Sequence, residues 1–155
     1  MTAHGLGAPA GIVTRLLAAL IDAVAAAALT GAVLGAAVAA VFVVNPVSFR
    51  WPTELAAQTS LLAFVVAVAY LTVGWATGGR GIGGAVLGVR VLARGGGRLG
   101  WVRSGCRAVL CVLFPLGLLW VAVSARRRSV QDLLTRSVVL YDVPQVPVPM
   151  APAAR

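Results

Sequence analysis

Only four acidic residues occur in this chain, Asp22, Glu54, Asp132 and Asp142, against thirteen arginines and no lysine. Asp22 stands inside the first apolar segment, where inserting an aspartate costs about 2.5 to 3.5 kcal/mol at a membrane-helix centre and less near an interface. Such a group needs a partner or a task. Arg15 precedes it by seven positions, on the same helical face but about 10.5 Å away along the axis. The two cannot pair in a straight helix, so each is expected to meet a different group on one inward face. Arg107 and Asp132, which flank the last apolar run, are candidates for those groups.

Two chemistries suit the set Arg15, Asp22, Arg107 and Asp132. In the first, the charges neutralise one another at the membrane boundary. At an effective dielectric near 20, a pair about 4 Å apart gains about 4 kcal/mol, comparable with the insertion cost. In the second, Asp22 is held away from water and binds a proton or Na⁺ in alternation, as in an exchanger. Polar residues able to line a pathway are few, chiefly Gln58, Thr59, Ser60 and Thr72.

The elements that must hold these charges follow from composition. The 155 residues are 60% hydrophobic and 11% charged, with a mean hydropathy of +0.96. That leaves too little polar surface to cover a globule in water, so lipid is the expected solvent. The net charge of +9 lies beside apolar runs, as expected of arginines at anionic headgroups.

Ala23 to Val44 carries no charge and is long enough to cross a hydrocarbon core of about 30 Å. With the turns from Arg15 it predicts a helix over 15–44. Pro46 and Pro52 then mark a short loop, and a second span is expected over 55–77, with Trp51 and Trp75 at opposite aromatic belts. From Gly78 to Gly105 there are eleven glycines, no acid, and Arg80, Arg90, Arg94, Arg98 and Arg103. This basic loop, 78–105, belongs at a membrane surface. Within it, Gly88–Leu92 and Leu99–Val102 flank a glycine-rich turn and predict a small β-hairpin. Arg103 and Arg107, four apart with Trp101 nearby, suggest a lipid-phosphate contact.

The third apolar segment, 106–125, holds Pro115 and Gly117 near its middle and ends at Arg126, Arg127 and Arg128. A straight third span would put those arginines on the side opposite the basic loop, against the positive-inside rule, so a kinked or re-entrant segment is expected. The same rule places the basic loop and the N-terminus in the cytoplasm. Cys106 and Cys111 are read as small buried hydrophobes. Residues 1–14 read as a flexible N-terminus and 142–155 as a proline-rich tail, leaving 15–141 as the membrane domain.

The segment from Arg15 to Asp22, RLLAALID, resembles the opening motif of the RDD family of small membrane proteins, named for an arginine and two aspartates. Asp132 within RRRSVQDLLTRS resembles that family's second aspartate and its basic surroundings, and Arg107 its later arginine. Gln131 stands where a histidine often precedes the aspartate, and Gly81 and Gly84 where a hydroxyl and a basic residue are frequent. The resemblance implies a multi-pass inner-membrane protein, with transport suspected and sodium/proton exchange proposed for some members, while others accompany larger assemblies.

On the first helix Ala27, Gly31, Gly35 and Ala39 recur every four residues, a ladder that lets another helix approach closely. Other familiar constellations fail. Gly79–Gly84 fits G-x-G-x-x-G but follows a membrane helix, and no acid follows it before Asp132, so it is read as a flexible turn. No lysine is present for a Walker A motif, and His4 is the single histidine. No enzyme, cofactor, metal or nucleic-acid partner is expected. The reading is an all-α integral membrane protein: a helical bundle with two transmembrane helices, a third kinked or re-entrant segment and a cytoplasmic β-hairpin loop. Its partners would be the bilayer, anionic headgroups and other membrane proteins or a homo-oligomer in a bacterial cytoplasmic membrane. It would serve as an accessory or scaffolding subunit of a transport assembly, or alternatively as a small oligomeric cation/proton exchanger built on Asp22.

Overall fold

The structure, a computed structural model, describes residues 8–50, 56–118, 120 and 129–142. Helix α1 runs Ile12–Val44 and α2 runs Ala56–Thr77, and among the described residues these are the two helices long and apolar enough to cross a membrane. At 33 residues α1 is about 50 Å long, so its first turns extend beyond a hydrocarbon core of about 30 Å. It begins three positions before Arg15. Helix α2 stops where Gly79 turns the chain at φ 70°, with the Gly78 and Arg80 amides donating to the Gly74 carbonyl at 3.0 and 3.2 Å.

A short helix, α3 (Ile82–Val86), follows, then strand β1 (Val89–Ala93), helix α4 (Trp101–Leu113), a 3₁₀ turn over Pro115–Leu118, helix α5 (Val130–Leu134) and strand β2 (Ser137–Tyr141). The glycine-rich stretch 79–84, expected as a flexible turn, therefore passes into a helix at Ile82.

The expected hairpin between 88–92 and 99–102 does not form. Strand β1 pairs antiparallel with β2 instead, with Val89 opposite Tyr141, Val91 opposite Val139 and Ala93 opposite Ser137. The glycine turn itself is present: the Gly96 amide donates to Ala93 O and the Ala93 amide to Gly97 O, both at 2.8 Å. After it Leu99 drops into the core, and Ser104, Arg107 and Ala108 recur with helical spacing on the buried face of α4. That pattern draws Trp101 and Val102 into a helix, and the β-branched Ser-Val-Val-Leu-Tyr run supplies the second strand. On the other edge of β2, the Ala10 amide donates to Val139 O and the Tyr141 amide to Ala8 O, each at 3.1 Å.

Helix α4 breaks at Phe114, where the anticipated kink near Pro115 falls, and its 13 residues reach only about 20 Å. The continuation through 121–125, Arg126, Arg127 and Arg128 lies outside the described residues, as do His4, Trp51, Glu54 and the tail beyond 142. Because β1 pairs with β2, the chain between them starts and finishes at one end of the helix pair. The core sits at that end, built by Ala10, Ala18, Trp75, Val91, Leu99 and Ala108. Farther along, only 6% of the apolar stretch of either long helix is buried by the chain itself.

Candidate functional site

Ser129-Val130-Gln131-Asp132 is a capping box: the Asp132 amide donates to Ser129 Oγ and the Ser129 amide to Asp132 Oδ2, both at 3.1 Å. This fixes a carboxylate at the start of α5, where a helix dipole favours negative charge. Two arginines from distant elements converge on it. Arg15 of α1 donates through Nη1 to Oδ2, and Arg107 of α4 through Nη1 to Oδ1.

The clamp is closed by neighbours. Arg15 Nε donates to Ala10 O at 3.1 Å, and Ser137 Oγ accepts from Arg107 Nη1 at 2.6 Å while donating to Asp132 Oδ1 at 3.3 Å. The Arg107 guanidinium also lies over the Trp75 ring, 4.9 Å from its centroid. Relative exposure is 6% for Arg15, 3% for Arg107 and 0% for Asp132, so the pairing is dry. Burial alone pushes the Asp132 carboxyl up, but the Arg107 and Arg15 charges and their hydrogen bonds outweigh it and hold it at about 2.

Asp22 does not join this cluster. Its Oδ1 accepts from Tyr70 Oη at 2.7 Å and from the Gly83 amide at 2.8 Å, and Tyr70 Oη in turn accepts from the Ile82 amide at 2.9 Å. Neutral donors from α2 and α3 thus take the place of the cationic partner expected for it. Close approach makes this possible, since a Cβ at Gly83 would lie 2.0 Å from Ala18 O and one at Gly81 2.5 Å from Asp22 Oδ1. Arg15 and Asp22 share the buried stripe of α1 with Ala18, Ala26 and Thr30, but each has its own partners.

The basic loop divides. Arg80 and Arg90 donate to Asp142 Oδ2 at 2.7 and 3.0 Å, whereas Arg94, Arg98 and Arg103 are exposed. Arg103 and Arg107 part company, the first in solvent and the second in the clamp, so they form no joint site with the exposed Trp101. Trp75 is packed under Arg107 and not facing outward as a belt residue. Cys106 is exposed and Cys111 half-buried. Ala27, Gly31, Gly35 and Ala39 are all exposed, and a Cβ added at Gly31 or Gly35 would meet nothing within 4 Å.

A family model described as the RDD family matches residues 9–136, which takes in Arg15, Asp22, Arg107 and Asp132. The chain belongs to the RDD family. No curated protein and no solved structure matches it. Family membership and the two apolar helices make it a membrane protein.

Sequence reasoning did not find Tyr70, Gly83, Ser129, Ser137 or Asp142 as partners in these sites. The Ser-x-x-Asp spacing was available as a capping signal for Ser129. Nothing local marks Tyr70 or Gly83, whose roles depend on packing between segments 48 and 61 positions away from Asp22.

Proposed function

We infer that this RDD-family chain is an accessory or scaffolding subunit of a larger assembly in a bacterial cytoplasmic membrane. The observation that carries the reading is the division of α1 into two faces. Its charged stripe is closed onto the chain's own C-terminal elements through Arg15 and Asp132 and onto α3 through Asp22 and Gly83. Its ladder Ala27, Gly31, Gly35 and Ala39 is left open. In lipid, close packing at small residues is what drives helices together, so an open ladder suits a helix of another protein.

In this reading the end carrying the sheet faces the cytoplasm with the N-terminus. The arginine excess over 78–105 supports that orientation. The third segment leaves and re-enters the same surface, a path supported by the β1–β2 pairing on either side of it. Purification of the tagged chain at native expression in mild detergent, with mass spectrometry, tests the proposal. A stoichiometric set of other membrane proteins, lost in the Gly31→Leu, Gly35→Leu double variant, is the expected result. A homogeneous homo-oligomer without companions would overturn it.

A second reading, a small oligomeric cation/proton exchanger, is favoured by one detail. Both bonds to Asp22 fall on Oδ1, and among the described residues its Oδ2 accepts no hydrogen bond while the side chain borders a cavity. Asp22→Asn retains an oxygen for Tyr70 and Gly83 but removes the charge. Lost ion flux in proteoliposomes at unchanged abundance would establish the exchanger; unchanged flux would dismiss it.

A further inference from the structure

A cavity of about 670 Å³ lies between α1 and α2, within the range of about 300–1,000 Å³ typical of small-molecule sites. Along α1 its wall extends from Arg15 to Thr30, and along α2 from Trp75 back to Ser60, a length of about 22 Å on either helix. Beyond Asp22 the wall is largely apolar, built from Ala26, Ala63 and Phe64, and the Thr30 hydroxyl is spent on Ala26 O at 2.8 Å. Ala23, Ala27 and Ser60 line that far end and are exposed, so it opens on the outer surface of the helix pair, where lipid chains lie.

One carboxylate oxygen on the wall stands open. Asp22 is 9% exposed, its Oδ1 takes both the Tyr70 hydroxyl and the Gly83 amide, and among the described residues its Oδ2 accepts no hydrogen bond. Unlike the enclosed Nε of Arg107, Oδ2 keeps exposed surface, and the side chain borders this cavity. A nearly dry acceptor without a donor is costly, so an occupant that carries a donor is favoured there. Its head is neutral. Arg15, Arg80 and Arg107 border the same cavity and repel a cation, and being paired with Asp132 or Asp142 they call for no anion.

We propose that this cavity binds a neutral single-chain lipid with a free hydroxyl, the hydroxyl donating to Asp22 Oδ2 and the apolar chain laid between α1 and α2 toward Thr30 and Ser60. From Asp22 to Thr30 the wall offers about 12 Å of length along α1 to that chain. Binding of such a lipid goes beyond the subunit reading and does not rest on it, since it concerns the isolated chain.

The test is retention of radiolabelled hexadecanol by the purified full chain in mild detergent, with unlabelled hexadecanol or hexadecyl methyl ether as competitor. The ether has the same chain and an acceptor oxygen but no donor. Hexadecanol should compete at concentrations about tenfold or more below the ether, the ratio expected of one hydrogen bond to a charged acceptor. Asp22→Asn retains an oxygen for Tyr70 and Gly83 and puts an amide NH₂ where Oδ2 stands. That group donates to alcohol and ether alike, so the ratio should fall to about one. Ala67→Phe, which fills the cavity without touching a charge, should abolish saturable retention while circular dichroism stays unchanged. Equal competition by alcohol and ether in the unmodified chain overturns the proposal whatever the variants do. Hexadecyltrimethylammonium competing better than hexadecanol would make the head a cation, and displacement of hexadecanol by Na⁺ would assign Oδ2 to an ion, as in the exchanger reading. Either result overturns it too.

Discussion

Arg15 and Asp132 are 117 positions apart in the chain and form a fully buried ion pair that ties the first turn of the long N-terminal helix to the capping box of a five-residue helix near the C-terminus. Arg107 meets the other oxygen of the same carboxylate, so three segments are locked by one acidic side chain. Removing it leaves two buried guanidiniums without their counter-ion.

Asp132→Asn is therefore expected to destabilise the chain by about 3 to 5 kcal/mol, the usual penalty for breaking a buried pair from one side. Thermal unfolding in detergent, followed by size-exclusion chromatography, measures it. A melting temperature equal to that of the unmodified chain would show that the clamp does not hold the fold.

The pH dependence has a defined sign. Asp132 has an ordinary value of 3.8 and is held at about 2 in the folded chain, so the folded state favours its charged form. Its contribution, about 2 kcal/mol, is present above about pH 4 and is lost as pH falls through the folded value near 2. Unfolding temperatures recorded at pH 7, 4 and 2 should show the loss confined to the acid end, and Asp132→Asn should abolish that part of the dependence.

Gly83→Ala tests the seat of Asp22. The added methyl would lie 2.0 Å from Ala18 O, so α3 must move off α1 and withdraw the Gly83 amide from the Asp22 carboxylate. Overpacking of this kind costs about 1 to 3 kcal/mol, and the lost charged hydrogen bond adds about 1.5 to 3. Gly31→Ala, where an added Cβ meets nothing within 4 Å, is the control and should leave the unfolding temperature of the isolated chain unchanged or slightly higher.

Asp142→Ala is expected to change little. Its pairs with Arg80 and Arg90 have side chains more than a third exposed on the arginine side, and exposed pairs contribute about 0 to 1 kcal/mol. An unfolding shift as large as that of Asp132→Asn would mean these arginines are structural and not surface charges.

The membrane class, both long helices, the break near Pro115 and the RDD resemblance were legible in the sequence because each rests on local properties: uninterrupted apolar length, a missing amide hydrogen, residue order. The seven-residue spacing also required Arg15 and Asp22 to find separate partners, since helix geometry fixes their separation before any folding. Which partners they find is a different matter. Val89–Ala93 is as able to pair with a strand a few residues later as with one at Ser137–Tyr141, and the choice depends on α4 burying Arg107 and Leu99 filling the core. Likewise the second carboxylate takes both arginines and the first takes Tyr70 and a glycine amide, although charge alone would have paired an arginine with each. Periodicity and composition act over a few turns of chain. Ion-pair assignment and strand pairing are decided between segments 25 to 117 positions apart, by which of them can pack closely enough to exclude water.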